Sequence, residues 1–217
     1  MTRLHDILVS KTPENAILIG GDCSISLPAV TFFASAVRKR GGKLGVIWLD
    51  AHADINTPAT SPSGNLHGMV TGFLLGLPGT VGVFPFQTAT AIIDPKDIVY
   101  LATRDLDGEE ITTINEIGIT IIRPDRLPAI DEILRALDHC TEIYLHFDLD
   151  SLDPSECDGG QNFKVPGGTN WNVVKGLVKE LKRWKRLVAV AVVEGDGHIE
   201  DQEIVSGLDD ILSEIVT

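Results

Sequence analysis

Leu44-Gly45-Val46-Ile47-Trp48-Leu49-Asp50-Ala51-His52-Ala53-Asp54 is an uncharged apolar run that ends in acid, imidazole and acid at every second position. Continuous apolar character over strand length predicts a strand covered on both faces, as in a parallel sheet, and not a half-solvated one. Asp50, His52 and Asp54 fall at i, i+2 and i+4, so they share one side wherever the chain stays extended. Leu145-His146-Phe147-Asp148-Leu149-Asp150 repeats the device, with Asp148 and Asp150 two apart. His146 has the same parity and aims the same way.

Working outward, apolar runs at 16–20, 98–102, 119–122 and 187–193 join those at 44–49 and 143–148, and helical spacing covers 27–40, 107–117, 129–137, 173–184 and 201–216. This alternation predicts an α/β fold with a mainly parallel central sheet and helices on both faces. Residues 56–65 and 151–169 are long loops rich in Gly, Pro, Ser and Thr, each directly after one of the acidic clusters. Loops at the carboxyl ends of parallel strands are where such sheets bind ligands.

The 217 residues, 43% of them apolar, suffice for one domain over 1–217 with a substantial core. Cys23, Cys140 and Cys157 are odd in number and irregularly spaced, which predicts reduced thiols and a cytoplasmic location. No stretch has membrane-span length, and the opening Met-Thr-Arg-Leu-His-Asp lacks the apolar core of a secretory signal, so no membrane partner is expected. A net charge of −13 argues against a nucleic-acid partner. Each acidic cluster alone would serve equally well as a helix cap or a loop. Together, four carboxylates at one sheet edge would repel one another unless cations were present, and two divalent ions balance them. Oxygen donors with one imidazole suit manganese. A two-metal centre can generate hydroxide near neutral pH, which attack on an unreactive planar carbon such as guanidinium requires.

Gly20-Gly21-Asp22-Cys23-Ser24, Asp50-Ala51-His52-Ala53-Asp54 and Asp148-Leu149-Asp150-Ser151-Leu152-Asp153-Pro154 resemble the three signature blocks of the ureohydrolase family, which includes arginase, agmatinase and formimidoylglutamase. The resemblance implies a three-layer α/β/α fold, two Mn2+ ions and release of urea or a related amide from a small-molecule guanidino substrate. Asp50, His52, Asp54, Asp148 and Asp150 match metal-ligand positions, with Asp50 and Asp148 as the bridging carboxylates. His67 matches a histidine proposed to shuttle protons, a task its ordinary pKa suits. Glu194 matches the acid that holds the guanidinium. Asp54-Ile55-Asn56-Thr57-Pro58, Ser63-Gly64-Asn65 and Arg104-Asp105-Leu106-Asp107 look more like arginase than agmatinase. By that likeness Asn56, Ser63 and Asn65 meet a substrate α-carboxylate and Asp107 an α-amino group, so arginine or a related guanidino amino acid is expected, cleaved to urea and an amine. The proton for the leaving amine would pass through Asp150 or His67. A homotrimer or homohexamer is implied in the same way.

Several positions depart from the family pattern. Cys23 replaces a histidine ligand: a thiolate there would bias the first site toward zinc or iron, whereas a neutral buried thiol would not bind. His146 replaces a serine and is expected to ligate directly or to support the cluster from behind. Only a short segment precedes residue 16, so the fold is expected to be N-terminally shortened. The loop Gly159-Gly160-Gln161-Asn162-Phe163-Lys164-Val165-Pro166-Gly167-Gly168 and the segment Gly195-Asp196-Gly197 also differ. Cys23 and the short start fit, as an alternative, a metal-impaired relative acting as a binding or assembly subunit.

Overall fold

The computed structural model describes residues 1–87, 90–127, 129–157, 163–184, 186–195 and 202–216. Among them are β1 (Ala16–Ile19), β2 (Leu44–Leu49), β3 (Ile98–Leu101), β4 (Thr120–Ile122), β5 (Glu142–Asp148) and β6 (Arg186–Val193), all parallel, in the order β1-β6-β5-β2-β3-β4. The helices are α1 (Thr2–Lys11), α2 (Ser26–Lys39), α3 (Val70–Leu74), α4 (Gly108–Ile117), α5 (Ile130–Ala136), α6 (Trp171–Trp184) and α7 (Gln202–Val216).

Strand parity sorts the core into two layers. Val46, Trp48, Tyr100, Tyr144 and Ala191 pack on one face with Leu27, Phe33 and Val37 of α2, while Ile47, Leu49, Val99, Leu145 and Phe147 pack on the other with Ile133 of α5 and Leu177 and Leu181 of α6. The central strands β2 and β5 are buried at every position, which is why they read as unbroken apolar runs. The result is the three-layer α/β/α arrangement.

The strand order positions the site. From β2 the chain moves to β3 on one side, whereas from β5 it moves to β6 on the other. Neighbours β2 and β5 therefore flank the point where the strand order reverses, and connections leaving their carboxyl ends diverge into a crevice, the place where open α/β sheets bind ligands. Trp48 pairs in register with His146 and Leu49 with Phe147. Two residues beyond the first pair come Asp50 and Asp148.

Predicted elements begin and end within two residues of those observed, and two helices went unpredicted. In α1 only Leu8 is buried, so its apolar stripe is too narrow to stand out. Helix α3 has 5 residues, less than two turns, and carries no readable period. Residues 158–162, 196–197 and 201, within the divergent loop, the segment after Glu194 and the predicted last helix, lie outside the described residues.

Candidate metal centre and substrate cavity

Asp50, directly after β2, is fully buried and its two oxygens face different neighbours. Oδ2 accepts a hydrogen bond from Trp48 Nε1 at 3.0 Å and lies 3.6 Å from His146 Nε2 and 4.0 Å from Cys23 Sγ. Oδ1 accepts from the His52 backbone N–H at 2.7 Å and lies 3.5 Å from His52 Nδ1. His52 Nδ1 is in turn 3.0 Å from Asp150 Oδ2. Asp148 ends β5, its Oδ2 3.1 Å from Cys23 Sγ and its Oδ1 accepting from the Asp150 N–H at 2.8 Å. Two donor groups result, Cys23, Asp50, His146 and Asp148 in one, Asp50, His52 and Asp150 in the other, each with its ligand atoms within 4.8 Å of one another.

Cys23 reaches the cluster because Asp22 caps a 3-10 turn over Cys23–Ile25, accepting from the Ser24 N–H at 2.9 Å, and that turn leads into α2. His146 reaches it from the strand. Its ring lies on the Trp48 indole, centroids 3.5 Å apart and planes at 7°, and its Nδ1 is 2.8 Å from Ser26 Oγ, which also accepts from Tyr144 Oη at 2.9 Å. Tyr144, His146 and Asp148 share one side of β5 by strand parity.

Burial raises the Asp54 and Asp148 carboxyls well above the usual carboxylate range, and the Asp50 charge adds to it. Asp150 is pushed up to about 6 by burial and then by Asp50. Asp50 goes the other way, held low against the cost of burial by the His146 and His52 imidazoles. Burial works to lower His52, but its Asp150 and Asp50 partners prevail and raise it to about 11. One acid thus keeps its charge while its neighbours are driven toward protonation, the pattern of a cluster that calls for cations. Asp54 Oδ2 and His146 Nε2 are buried without a hydrogen-bond partner, as is Asp150 Oδ2 apart from His52 Nδ1 3.0 Å away. Orphaned acceptors and an imidazole nitrogen among acids fit divalent ions. Asp97, His139 and Cys140 also lie together, but Lys43 Nζ sits 2.9 Å from Asp97 and already provides a cation there.

Above the acids opens a cavity of about 230 Å³. Glu194, 3% exposed just past β6, points Oε1 at His67 Nδ1 (3.2 Å) and at the Cys23 N–H (3.3 Å). Hydrogen bonding to Glu194 raises the His67 pKa. Asn56, Ser63, Asn65 and Asp107 line the same cavity. Asn56 Nδ2 donates to Asp107 Oδ2 at 2.8 Å, and Asp107 Oδ1 caps α4 by accepting from the Glu109 and Glu110 N–H groups. Asp54, Ala102 and Glu194 adopt left-handed φ angles of 51°, 65° and 60°, conformations costly for residues with a Cβ and held here by the surrounding fold.

Cys23, Asp50, His52, Asp54, Asn56, Ser63, Asn65, His67, Asp107, Asp148, Asp150 and Glu194 are therefore at this sheet edge, together with His146, its Nε2 facing the cluster. Four contributors were missed. Phe163 lies over the His52 and His67 rings at centroid distances of 6.0 and 5.8 Å. Ser26 and Tyr144 anchor His146, and the parity of Tyr144 with His146 was the available signal. Arg104, noted only within a motif, donates to the carbonyls of Ala102 (3.0 Å), Asp150 (2.8 Å) and Pro166 (3.0 Å) and to that of Val165, tying the 151–169 loop to the cluster. In the same loop Gly168 packs against the Leu152 backbone, where a Cβ would clash, and so permits the Leu152–Thr169 bridge.

A parallel α/β/α sheet whose reversal point carries two acid-and-imidazole donor groups sharing one carboxylate defines a protein built around a binuclear divalent-metal centre. Within that class the chain belongs to the arginase family, whose model matches residues 3–207. It is 34% identical over 211 residues to the arginase of Entamoeba histolytica, covering 92% of this chain and 68% of that protein. With arginase-1 of Homo sapiens it shares 40% over 157 residues, 68% of this chain and 48% of the relative. The solved structure of Entamoeba histolytica arginase in complex with L-ornithine superposes with a TM-score of 0.85 at 30% identity over 98% of this chain and 74% of that one. The arginase from Bacillus caldovelox gives 0.84 at 29%, over 99% and 73%. The chain spans 60% of the arginase of Coccidioides posadasii, which it matches at 33% identity.

Proposed function

We propose that the protein is a metal-dependent amidinohydrolase that cleaves arginine or a related guanidino amino acid to urea and an amine. The observation that carries this reading is the Asp50 carboxylate, shared by two donor groups beneath a cavity that Glu194 and His67 help to wall. Divalent cations held there supply Lewis acidity toward water and the planar carbon. Asp50, His52, Asp54, Asp148 and Asp150 are the proposed oxygen and nitrogen ligands, and the hard second group suits Mn2+. Glu194 pairs with the guanidinium and orients its carbon. His67, within reach of Glu194, moves protons at the cavity mouth, and His67 or Asp150 protonates the leaving amine. Asn56, Ser63 and Asn65 meet the α-carboxylate and Asp107 the α-amino group. A similar protein of known structure holds L-ornithine, the amine left when arginine loses urea. A cytoplasmic setting agrees with three buried, unbridged cysteines, and assembly as a homotrimer or homohexamer completes the reading.

Urea and amine measured after metal loading, across a panel of guanidino compounds, test the proposal. Equimolar urea and amine, with substrates bearing an α-carboxylate preferred over the decarboxylated analogue, is the expected result. Metal-replete protein that releases neither urea nor ammonia from any member would overturn it and leave the chain a non-catalytic relative.

A further inference from the structure

The geometry points to an unlike pair of metal positions: we propose that Cys23 Sγ and His146 Nε2, with Asp50 and Asp148, form a tetrahedral thiolate–imidazole site selective for a thiophilic divalent ion such as zinc. The second group, Asp50, His52 and Asp150, takes the harder manganese, and Asp54, whose buried Oδ2 has no hydrogen-bond partner, remains the further oxygen ligand proposed above. This rests on the two-metal part of the function proposed above.

The donor separations are compatible with four-fold ligation, all four ligand atoms lying within 4.8 Å of one another. A tetrahedral ion with bonds of about 2.0 to 2.3 Å sets its donors about 3.3 to 3.8 Å apart. Around Asp50 and Asp148 the separations are 3.1 Å from Cys23 Sγ to Asp148 Oδ2, 3.6 Å from His146 Nε2 to Asp50 Oδ2 and 4.0 Å from Cys23 Sγ to Asp50 Oδ2. These bracket the tetrahedral value. Cys23 alone would be a small buried thiol bonded to an acid. The independent observation is His146, fully buried, with Nε2 lacking a hydrogen-bond partner and facing the same acids.

The ring is held for that task. It is stacked on Trp48, and its other nitrogen meets Ser26 Oγ, itself engaged by Tyr144. In the tautomer that donates from Nδ1 to Ser26, the Nε2 lone pair faces the cluster, the arrangement metal-bound histidines adopt. The first group thus offers one sulfur, one nitrogen and two oxygens, a softer set than the second. On binding, the thiol proton is released to solvent and the sulfur donates an electron pair to the ion; no oxidation is involved.

Cobalt-loaded protein provides the test, because thiolate ligation gives a near-ultraviolet sulfur-to-cobalt charge-transfer band and tetrahedral geometry gives intense visible bands. Wild type should show both, Cys23→Ser should lose the ultraviolet band while retaining cobalt at the second group, and His146→Ala should weaken zinc binding on the order of tenfold or more. Dialysis against mixed zinc and manganese should leave one of each in wild type, and Cys23→His should shift the first position toward manganese. Two cobalt ions per chain without the sulfur band would overturn this inference while leaving the amidinohydrolase reading intact. A sulfur band without urea release would do the reverse. Zinc affinity unchanged in His146→Ala would remove the imidazole from the ligand set, and wild type that retains no metal overturns both readings.

Discussion

The imidazole of His146 lies flat on the indole of Trp48, ring planes 7° apart, while the indole N–H is bonded to Asp50. One tryptophan thus contacts both a candidate ligand and the shared carboxylate. Two of its strand neighbours are also the residues whose charge or coordination a metal would change.

Trp48 should therefore report metal arrival. Tryptophan emission should change on titration with zinc, against a constant background from Trp171 and Trp184, and the change should vanish in Trp48→Phe. That variant removes a hydrogen bond to a charged group and is expected to cost about 1.5–3 kcal/mol, read by urea denaturation.

The apo protein should lose stability as pH rises from about 4 to 6. Asp150 has its folded pKa raised to about 6, so the folded state binds more protons than the unfolded state between the ordinary carboxylate value and that point. Stability is then fully present below the ordinary value and is lost as pH passes through 6. His52, raised to about 11, acts in the same direction above its ordinary value. Asp50, whose carboxyl is held low, titrates below this window. Thermal melts of chelator-treated protein at pH 5 and 8 check the sign: a higher melting temperature at pH 8 would contradict it. Metal-loaded protein should show the difference reduced or reversed, because binding requires deprotonated ligands.

Asp54→Asn should stabilise the apo protein and weaken its response to metal. Its buried Oδ2 has no hydrogen-bond partner, and its carboxyl is raised by burial, so an uncharged side chain of similar shape that tolerates left-handed φ removes a cost. A gain of roughly 1–2 kcal/mol in apo stability is expected. Differential scanning calorimetry with and without metal should show the apo melt rising and the metal-induced shift shrinking.

Asp107 carries two roles that substitution can separate. It caps α4, so Asp107→Ala should cost about 1 kcal/mol, whereas Asp107→Asn should retain most of the cap while removing the charge. If the charge holds the substrate α-amino group, both variants raise KM by on the order of tenfold, yet only the alanine variant melts early. A KM unchanged in Asp107→Asn would confine the residue to capping.

Arg104→Met should destabilise by roughly 2–4 kcal/mol and expose the 151–169 loop to proteolysis, because several backbone carbonyls lose their donor together. Arg104→Lys should recover little, since an ammonium cannot reproduce the planar fork. Limited proteolysis with mass mapping distinguishes loop release from global unfolding.

Sheet and acids were legible because continuous apolar runs and two-residue spacing are local patterns. The juxtaposition of β2 and β5 was not, since which strands become neighbours depends on connection path and not on composition. That Asp50 and Asp148 converge followed from matching strand ends; that His146 would stand over Trp48 depended on their pairing across strands 98 residues apart (146 − 48). Cys23 could be placed near the acids but not assigned a neighbour, because its position is set by the turn Asp22 caps. Arg104 was hidden for another reason: its partners are backbone carbonyls, which every residue has.

Asp50 presents one oxygen to each donor group, and that has a thermodynamic meaning. The two positions are linked equilibria: an ion at either one immobilises and polarises a ligand of the other, favouring its occupancy through preorganisation while opposing it through repulsion between cations. The loading curve of one ion must therefore depend on the occupancy of its neighbour, reciprocally, and a substitution at Asp50 is a perturbation of the coupling as much as of either affinity.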